Sequence, residues 1–97
     1  MLKKRPVLVV SNDEYNRDYA DIIVAVISSS TGKEDRYAIQ LSDTDLEFGI
    51  MPEKSVIKTH KLFTIDKNRI IKKFSIVNIQ KYRQVNKMLI ELFRPDN

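Results

Sequence analysis

The sequence predicts a mainly β fold closed by a C-terminal helix, organised as one domain over residues 1–97. Three observations carry this reading. Short β-branched runs recur at residues 6–10, 22–28, 37–41, 55–65 and 69–74. Clusters of turn-forming residues separate them. From Ser75 onward the apolar residues recur at three- and four-residue steps, the period of a helix rather than a strand.

Each element follows from its own residues. Pro6-Val7-Leu8-Val9-Val10 shows no polar alternation, which predicts a strand buried on both faces. Ser11 to Asp18 is rich in turn formers and is expected to be a loop. Ile22 to Ser28 makes a second buried strand, broken by Ser29-Ser30-Thr31-Gly32-Lys33. Tyr37-Ala38-Ile39-Gln40-Leu41 alternates and predicts a third strand. Ser42 to Gly49 reads as an acidic loop.

The longest strand is expected over residues 55–65. Unbroken alternation sets Val56, Lys58, His60 and Leu62 on one face, and Ile57, Thr59, Lys61 and Phe63 on the other. That mixture suggests partial exposure on both faces, at an interface or groove. Asp66-Lys67-Asn68 is a turn, and Arg69 to Phe74 a short final strand. Ile79, Tyr82, Val85, Met88, Leu89 and Leu92 then mark an amphipathic helix over residues 76–93, with Ser75 as N-cap and Pro95 as its end. Some five strands and one helix close most economically as a curled or barrel-like sheet.

Composition bounds the function. With 42% apolar and 31% charged residues, the chain can build a core, though a small one that association would help. The absence of cysteine excludes disulfides and thiolate metal sites, and a single histidine excludes a multi-histidine site within one chain. No metal or cofactor is expected. No apolar run approaches the ~20 residues of a membrane span. Val7 to Val10 is also too short for the ~7–15 apolar residues of a signal peptide, so a cytoplasmic protein is expected. A net charge of +4 fits nucleic acid, an acidic protein partner, or neither. Two glycines allow no Gly-rich phosphate loop, and neither a nucleophile elbow nor a Ser-His-Asp signature occurs. An enzyme built from this chain works with arginine, hydroxyls, carboxylates and one imidazole.

Four motifs in order carry a resemblance. Arg5-Pro6-Val7-Leu8-Val9-Val10-Ser11-Asn12-Asp13, followed by Asn16, resembles the segment R-P-V-L-V-(I/V)-x-N-D-x-x-N of the MazF/PemK toxin endoribonucleases. Val24-Ala25-Val26-Ile27-Ser28-Ser29 is similar to their second strand, V-A-x-I-T. Glu53-Lys54-Ser55-Val56-Ile57 and Thr64-Ile65-Asp66-Lys67-Asn68-Arg69-Ile70 resemble x-x-S-V-(I/V) and T-I-D-K-x-R-(L/I).

The resemblance implies an SH3-like, strongly curved sheet with a C-terminal helix, of the MazF/PemK/CcdB toxin type and usually a homodimer. It implies metal-independent cutting of single-stranded RNA at short sequences, with the substrate's own 2′-hydroxyl as nucleophile. It implies an antitoxin partner with a disordered, acidic tail. Arg5 matches the family's catalytic arginine, and Ser28 stands where a catalytic threonine is usual. Ser29, Lys58, His60 and Lys61 are the expected RNA contacts. His60-Lys61 replaces an acidic residue followed by glutamine, a departure that points to altered RNA contacts rather than a catalytic base.

Tyr15 and Tyr19 flank the first loop and are left outside the site, because loop aromatics commonly pack down on the core. The family also places about twenty residues before its Arg5 equivalent, as a first strand and a loop over the active site. The chain is therefore expected to be N-terminally short, with a sheet edge or groove open. A second reading follows, a non-catalytic binding module that keeps the antitoxin or dimer surface. A gyrase poison of the CcdB kind is disfavoured by the Arg5 and Thr64-Ile65-Asp66-Lys67 matches.

Overall fold

The computed structural model describes residues 5–29, 35–51, 53–73 and 75–96. The core begins with two long antiparallel strands, β2 (Asp21–Ser28) and β5 (Ser55–Asp66). Their β-branched residues suit a pleated surface covered on both sides. β1 (Val7–Val9) adds to the outer side of β2, and β3 (Ala38–Leu41) to the outer side of β5, giving the order β1-β2-β5-β3. β1 is therefore an edge strand, with Val9 37% exposed, and the expectation of burial on both faces is corrected.

The β2–β5 ladder carries a large irregularity. Ala25 pairs with Leu62, but the next residue, Val26, pairs with Lys58. Thr59, His60 and Lys61 thus bulge out of β5. A bulge bends its strand and increases the local twist. Because the insertion is odd in length, it also reverses which parity of β5 faces inward. Ile57 is fully buried in the core and Leu62 packs against the same core. The unbroken alternation expected across residues 55–65, which set these two on opposite faces, is corrected accordingly.

Ala25, Ile39, Leu41, Met51, Ile57 and Val85 form the core, flanked by Leu8, Val10, Ile27, Met88 and Leu89. Val85 brings helix α2 (Ile79–Leu92) onto the sheet. Each fully buried aliphatic side chain contributes roughly 1.5–3 kcal/mol. The apolar stripe expected for the helix is observed, except that Ile79 is 57% exposed. The cap differs too. Asn78, not Ser75, accepts from Lys81 N at 2.8 Å, while the Ser75 hydroxyl donates to the Phe48 carbonyl. Consecutive helix residues then tie down the sheet's two outer strands. Lys81 Nζ donates to Gln40 O in β3 at 2.8 Å, and Tyr82 OH donates to Val10 O beside β1 at 3.2 Å.

Three further expectations are revised. The loop over Ser11–Asp18 contains a short helix, α1 (Asp13–Asp18), because turn formers also cap helices: Asn12 Oδ1 accepts from Tyr15 N at 2.8 Å. The acidic loop holds a 3₁₀ turn (Asp43–Asp45) and strand β4 (Leu46–Phe48), followed by Gly49 at φ 88°. The last strand lies at β6 (Ile76–Val77), paired with β4, and residues 70–73 are irregular. The break expected over Ser29–Lys33 lies mostly outside the described residues. Among those described, no helix is long and apolar enough to cross a membrane.

Removing the side chain at the centre tests this core. Ile57→Ala is expected to lower unfolding free energy by about 2–5 kcal/mol in urea titration. Ile90→Ala, at a position 72% exposed, is expected to change it by less than about 0.5 kcal/mol.

Candidate nucleic-acid interface

Register places the candidate residues. In the β1–β2 ladder Val7 faces Val26, Leu8 faces Ala25 and Val9 faces Val24. Continued by two residues, this register sets Arg5 across from Ser28. Ser28 in turn faces Val56 of β5, and Lys58 faces Val26. Lys58 is thus the diagonal neighbour of Ser28, a relationship of roughly 7–8 Å in an antiparallel pair. By alternation, Arg5, Val7, Ser28, Val26 and Lys58 lie on the face opposite Leu8, Ala25, Ile27 and Ile57, a face on which Ile22, Val24 and Val56 are themselves buried.

The remaining candidates fall elsewhere. Ser29 follows β2 with the opposite parity and is exposed. Lys61 is exposed within the bulge. His60 occupies the bulge beside β3's leading segment: its Nε2 lies 3.6 Å from Asp35 Oδ2, and its ring centroid 6.3 Å from that of Tyr37. The sheet therefore brings Arg5, Ser28 and Lys58 together, while His60 and Lys61 stand further along β5. Arg5, Lys58 and Lys61 make no ion pair among the described residues, so their charge is available to an anion. Among the same residues, no group of three or more His, Cys, Asp or Glu side chains is placed to hold a metal ion.

Sequence reasoning missed what shapes this face. Thr59 is fully buried; its Oγ1 donates to Tyr37 O at 2.6 Å and its backbone N donates to the same oxygen at 3.1 Å. The doubly bound carbonyl anchors the bulge to β3 and fixes where Lys58 leaves it. Tyr37 also lies under Arg36, whose Cζ is 5.4 Å from the ring centroid, and Arg36 Nη2 lies 3.7 Å from Glu91 Oε1 on α2. The Thr59–Tyr37 and Arg36–Glu91 contacts span 22 residues and more, and no local pattern announces them. Tyr15 and Tyr19, left outside the site, stack on each other at 4.4 Å.

A separate cavity of about 450 Å³ opens beyond the other end of β1, between the start of α1 and the middle of α2. Ser11, Asn12, Tyr15, Tyr82 and Asn86 line it, over an apolar floor of Val10 and Ile23.

Comparison with known proteins fits this architecture. The model of a family described as PemK-like, MazF-like toxin of type II toxin–antitoxin system matches residues 1–93. No curated protein sequence matches the chain significantly. Among solved structures, the Mycobacterium tuberculosis toxin MazF-mt6 is similar at TM-score 0.76 and 16% identity, over 96% of this chain and 89% of its own. An endoribonuclease from a mycobacterial species is similar at TM-score 0.78 and 19% identity, over 96% and 84%. An endoribonuclease in complex with its cognate antitoxin, also mycobacterial, is similar at TM-score 0.77 and 20% identity, over 96% and 84%. At these identities the likeness establishes the fold.

The anchor predicts a measurable effect. Thr59→Val removes one of two donors to the Tyr37 carbonyl and is expected to cost about 1 kcal/mol by thermal or urea unfolding. Backbone amide shifts in an NMR spectrum should move at residues 35–37 and 58–61, not at α1.

Proposed function

The chain belongs to the PemK-like, MazF-like toxin family of type II toxin–antitoxin systems, and from that premise we propose that it is a metal-independent endoribonuclease cutting single-stranded RNA at short sequences. What supports this most is that the β1–β2 register, continued two residues beyond β1, sets Arg5 across from Ser28, with Lys58 on the diagonal and neither cation in an ion pair among the described residues. A planar guanidinium, a hydroxyl and an ammonium on one face suit a phosphodiester, with donors for its non-bridging oxygens.

In the proposed reaction the substrate's 2′-hydroxyl gives its proton to solvent water and its oxygen attacks the adjacent phosphorus. The bond from phosphorus to the 5′-oxygen breaks, and that oxygen takes up a proton from water, so none is gained or lost. The products are a 2′,3′-cyclic phosphate and a 5′-hydroxyl. A guanidinium presents only N–H donors and no lone pair to take a proton, so Arg5 is not the base. Its role is to neutralise the charge of the phosphorane and to donate toward the leaving oxygen. Ser28 donates to the same phosphate. Lys58, Ser29, His60 and Lys61 hold RNA on either side of it.

The partners follow the same logic. An antitoxin with an acidic, disordered tail complements the unpaired cations, and folding onto them would block RNA. That a similar mycobacterial endoribonuclease is known with its cognate antitoxin supports such a partner. Phe48, Ile50 and Ile79 are 53%, 75% and 57% exposed around the β4–β6 pair. So much apolar surface supports a homodimer.

The reading is checked by incubating the purified protein with single-stranded RNA in EDTA and identifying the termini by mass spectrometry. Cleavage leaving cyclic phosphate is expected. Arg5→Ala should slow it by about 100-fold or more, the scale of losing one transition-state donor. Ser28→Ala should slow it less, and Ser28→Thr should retain activity. Undiminished cleavage by Arg5→Ala would overturn the catalytic assignment, and RNA binding without cleavage would identify a non-catalytic module.

A further inference from the structure

The cavity between α1 and α2 takes no part in the chemistry above, and its lining is chemically specific. At about 450 Å³ it falls within the ~300–1,000 Å³ of small-molecule sites. Val10 and Ile23 supply an apolar floor, and Tyr15 and Tyr82 supply aromatic rings. Most polar atoms there are already committed. The Ser11 hydroxyl donates to Asn16 Oδ1 and accepts from Ile23 N at 2.9 Å. Tyr82 OH donates to Val10 O, and Asn12 Oδ1 accepts from Tyr15 N.

Two groups remain open. Asn12 Nδ2 and the Asn86 amide, both on exposed residues, have no protein hydrogen-bond partner among the described residues. Among the described residues no lysine or arginine lines the cavity, so none of them neutralises an isolated phosphate there. An apolar side chain would satisfy the floor and rings but leave the amides unpaired. A nucleobase satisfies both: its faces are apolar and aromatic, and its edge carries donors and acceptors side by side.

We infer that this cavity is a nucleobase subsite, taking one unpaired base of an RNA chain through the open amide of Asn86 and the rings of Tyr15 and Tyr82. Adenine fits best. An asparagine amide accepts from the exocyclic N6 amine through Oδ1 and donates to the neighbouring N7 through Nδ2. Only the source of the base rests on the RNA-cleaving reading. The distance is suitable: five strand residues separate Arg5 from Val10, roughly 17 Å. Among the described residues β1 pairs with β2 alone, so an RNA of a few nucleotides can pass over its other edge from one site to the other. The subsite would then select sequence at a position away from the scissile phosphate.

The test titrates isotope-labelled protein with AMP, UMP, CMP, GMP, base-free ribose 5-phosphate, and a 2′-O-methyl oligoadenylate that cannot be cleaved. NMR follows the asparagine side-chain amides and tyrosine rings. AMP is expected to shift Asn86, Asn12, Tyr15 and Tyr82, and ribose 5-phosphate to leave them unmoved. Asn86→Ala, on an exposed helix position where alanine favours folding, should weaken AMP binding about tenfold or more. Arg5→Ala should leave AMP binding intact, so a chain found unable to cut RNA can still prove the subsite. The oligoadenylate should bind at least tenfold tighter than AMP, since it also reaches the Arg5 face. Equal affinity would assign the cavity to free nucleotides and overturn its RNA role. Shifts that ribose 5-phosphate reproduces, or that spare Asn86, would overturn the subsite itself.

Discussion

The three extra residues in β5 opposite Ala25 and Val26 are the constraint from which the architecture follows. Without them, the second half of β5 would turn Leu62 outward and Phe63 inward, and the central pair would run flat. With them, both halves bury their apolar residues against one core and the sheet curls. A register displacement of this kind changes every side chain downstream of it. The bulge is held open by a buried hydroxyl, Thr59, on a single carbonyl of Tyr37. The bulge, and with it the position of Lys58, is held by two donors of one buried residue on that carbonyl.

That contact also links fold to chemistry. β2 ends at Ser28, on the far side of the bulge from most of its pairing with β5. Lys58 stands at the last paired position before the bulge, so the strand bend and the cluster of donors are the same feature viewed from two sides. Bulges next to functional residues re-aim side chains. Here Lys58 stands diagonal to Ser28, on the face that Arg5 joins when the β1 register is continued. Rigid backbone, rather than side-chain ion pairs, sets their spacing, which leaves their charges open to a ligand.

Much of the fold was legible because its signals are local. β2, β3, β5 and α2 each carry their own period, and their positions were read from it to within a few residues. The parts missed depend on distant partners. α1 has the composition of a loop and becomes helical through the Asn12 cap. β4 and β6 span three and two residues, and exist only as each other's complement. The helix cap moved from Ser75 to Asn78 because Ser75 is engaged by Phe48 across the chain. The candidate site divides the same way. Arg5 and Ser28 became candidates through the motif they share with a family, whereas the relation of Ser28 to Lys58 came only with the ladder. Asp35, Tyr37 and Thr59 bear no local mark, since what they do is defined by strands far away in sequence.

The two bonds from the first turn of α2 carry a consequence for how the molecule comes into being. Lys81 and Tyr82 reach backbone partners 41 and 72 residues earlier, on opposite borders of the sheet. They work as a clasp on a hoop. During synthesis from the N-terminus, every strand leaves the ribosome before the clasp does. The sheet must wait unfastened, its borders and apolar floor uncovered, until the last fifth of the chain emerges. Until α2 docks, both borders of the sheet and its apolar floor are surfaces that another polypeptide can reach.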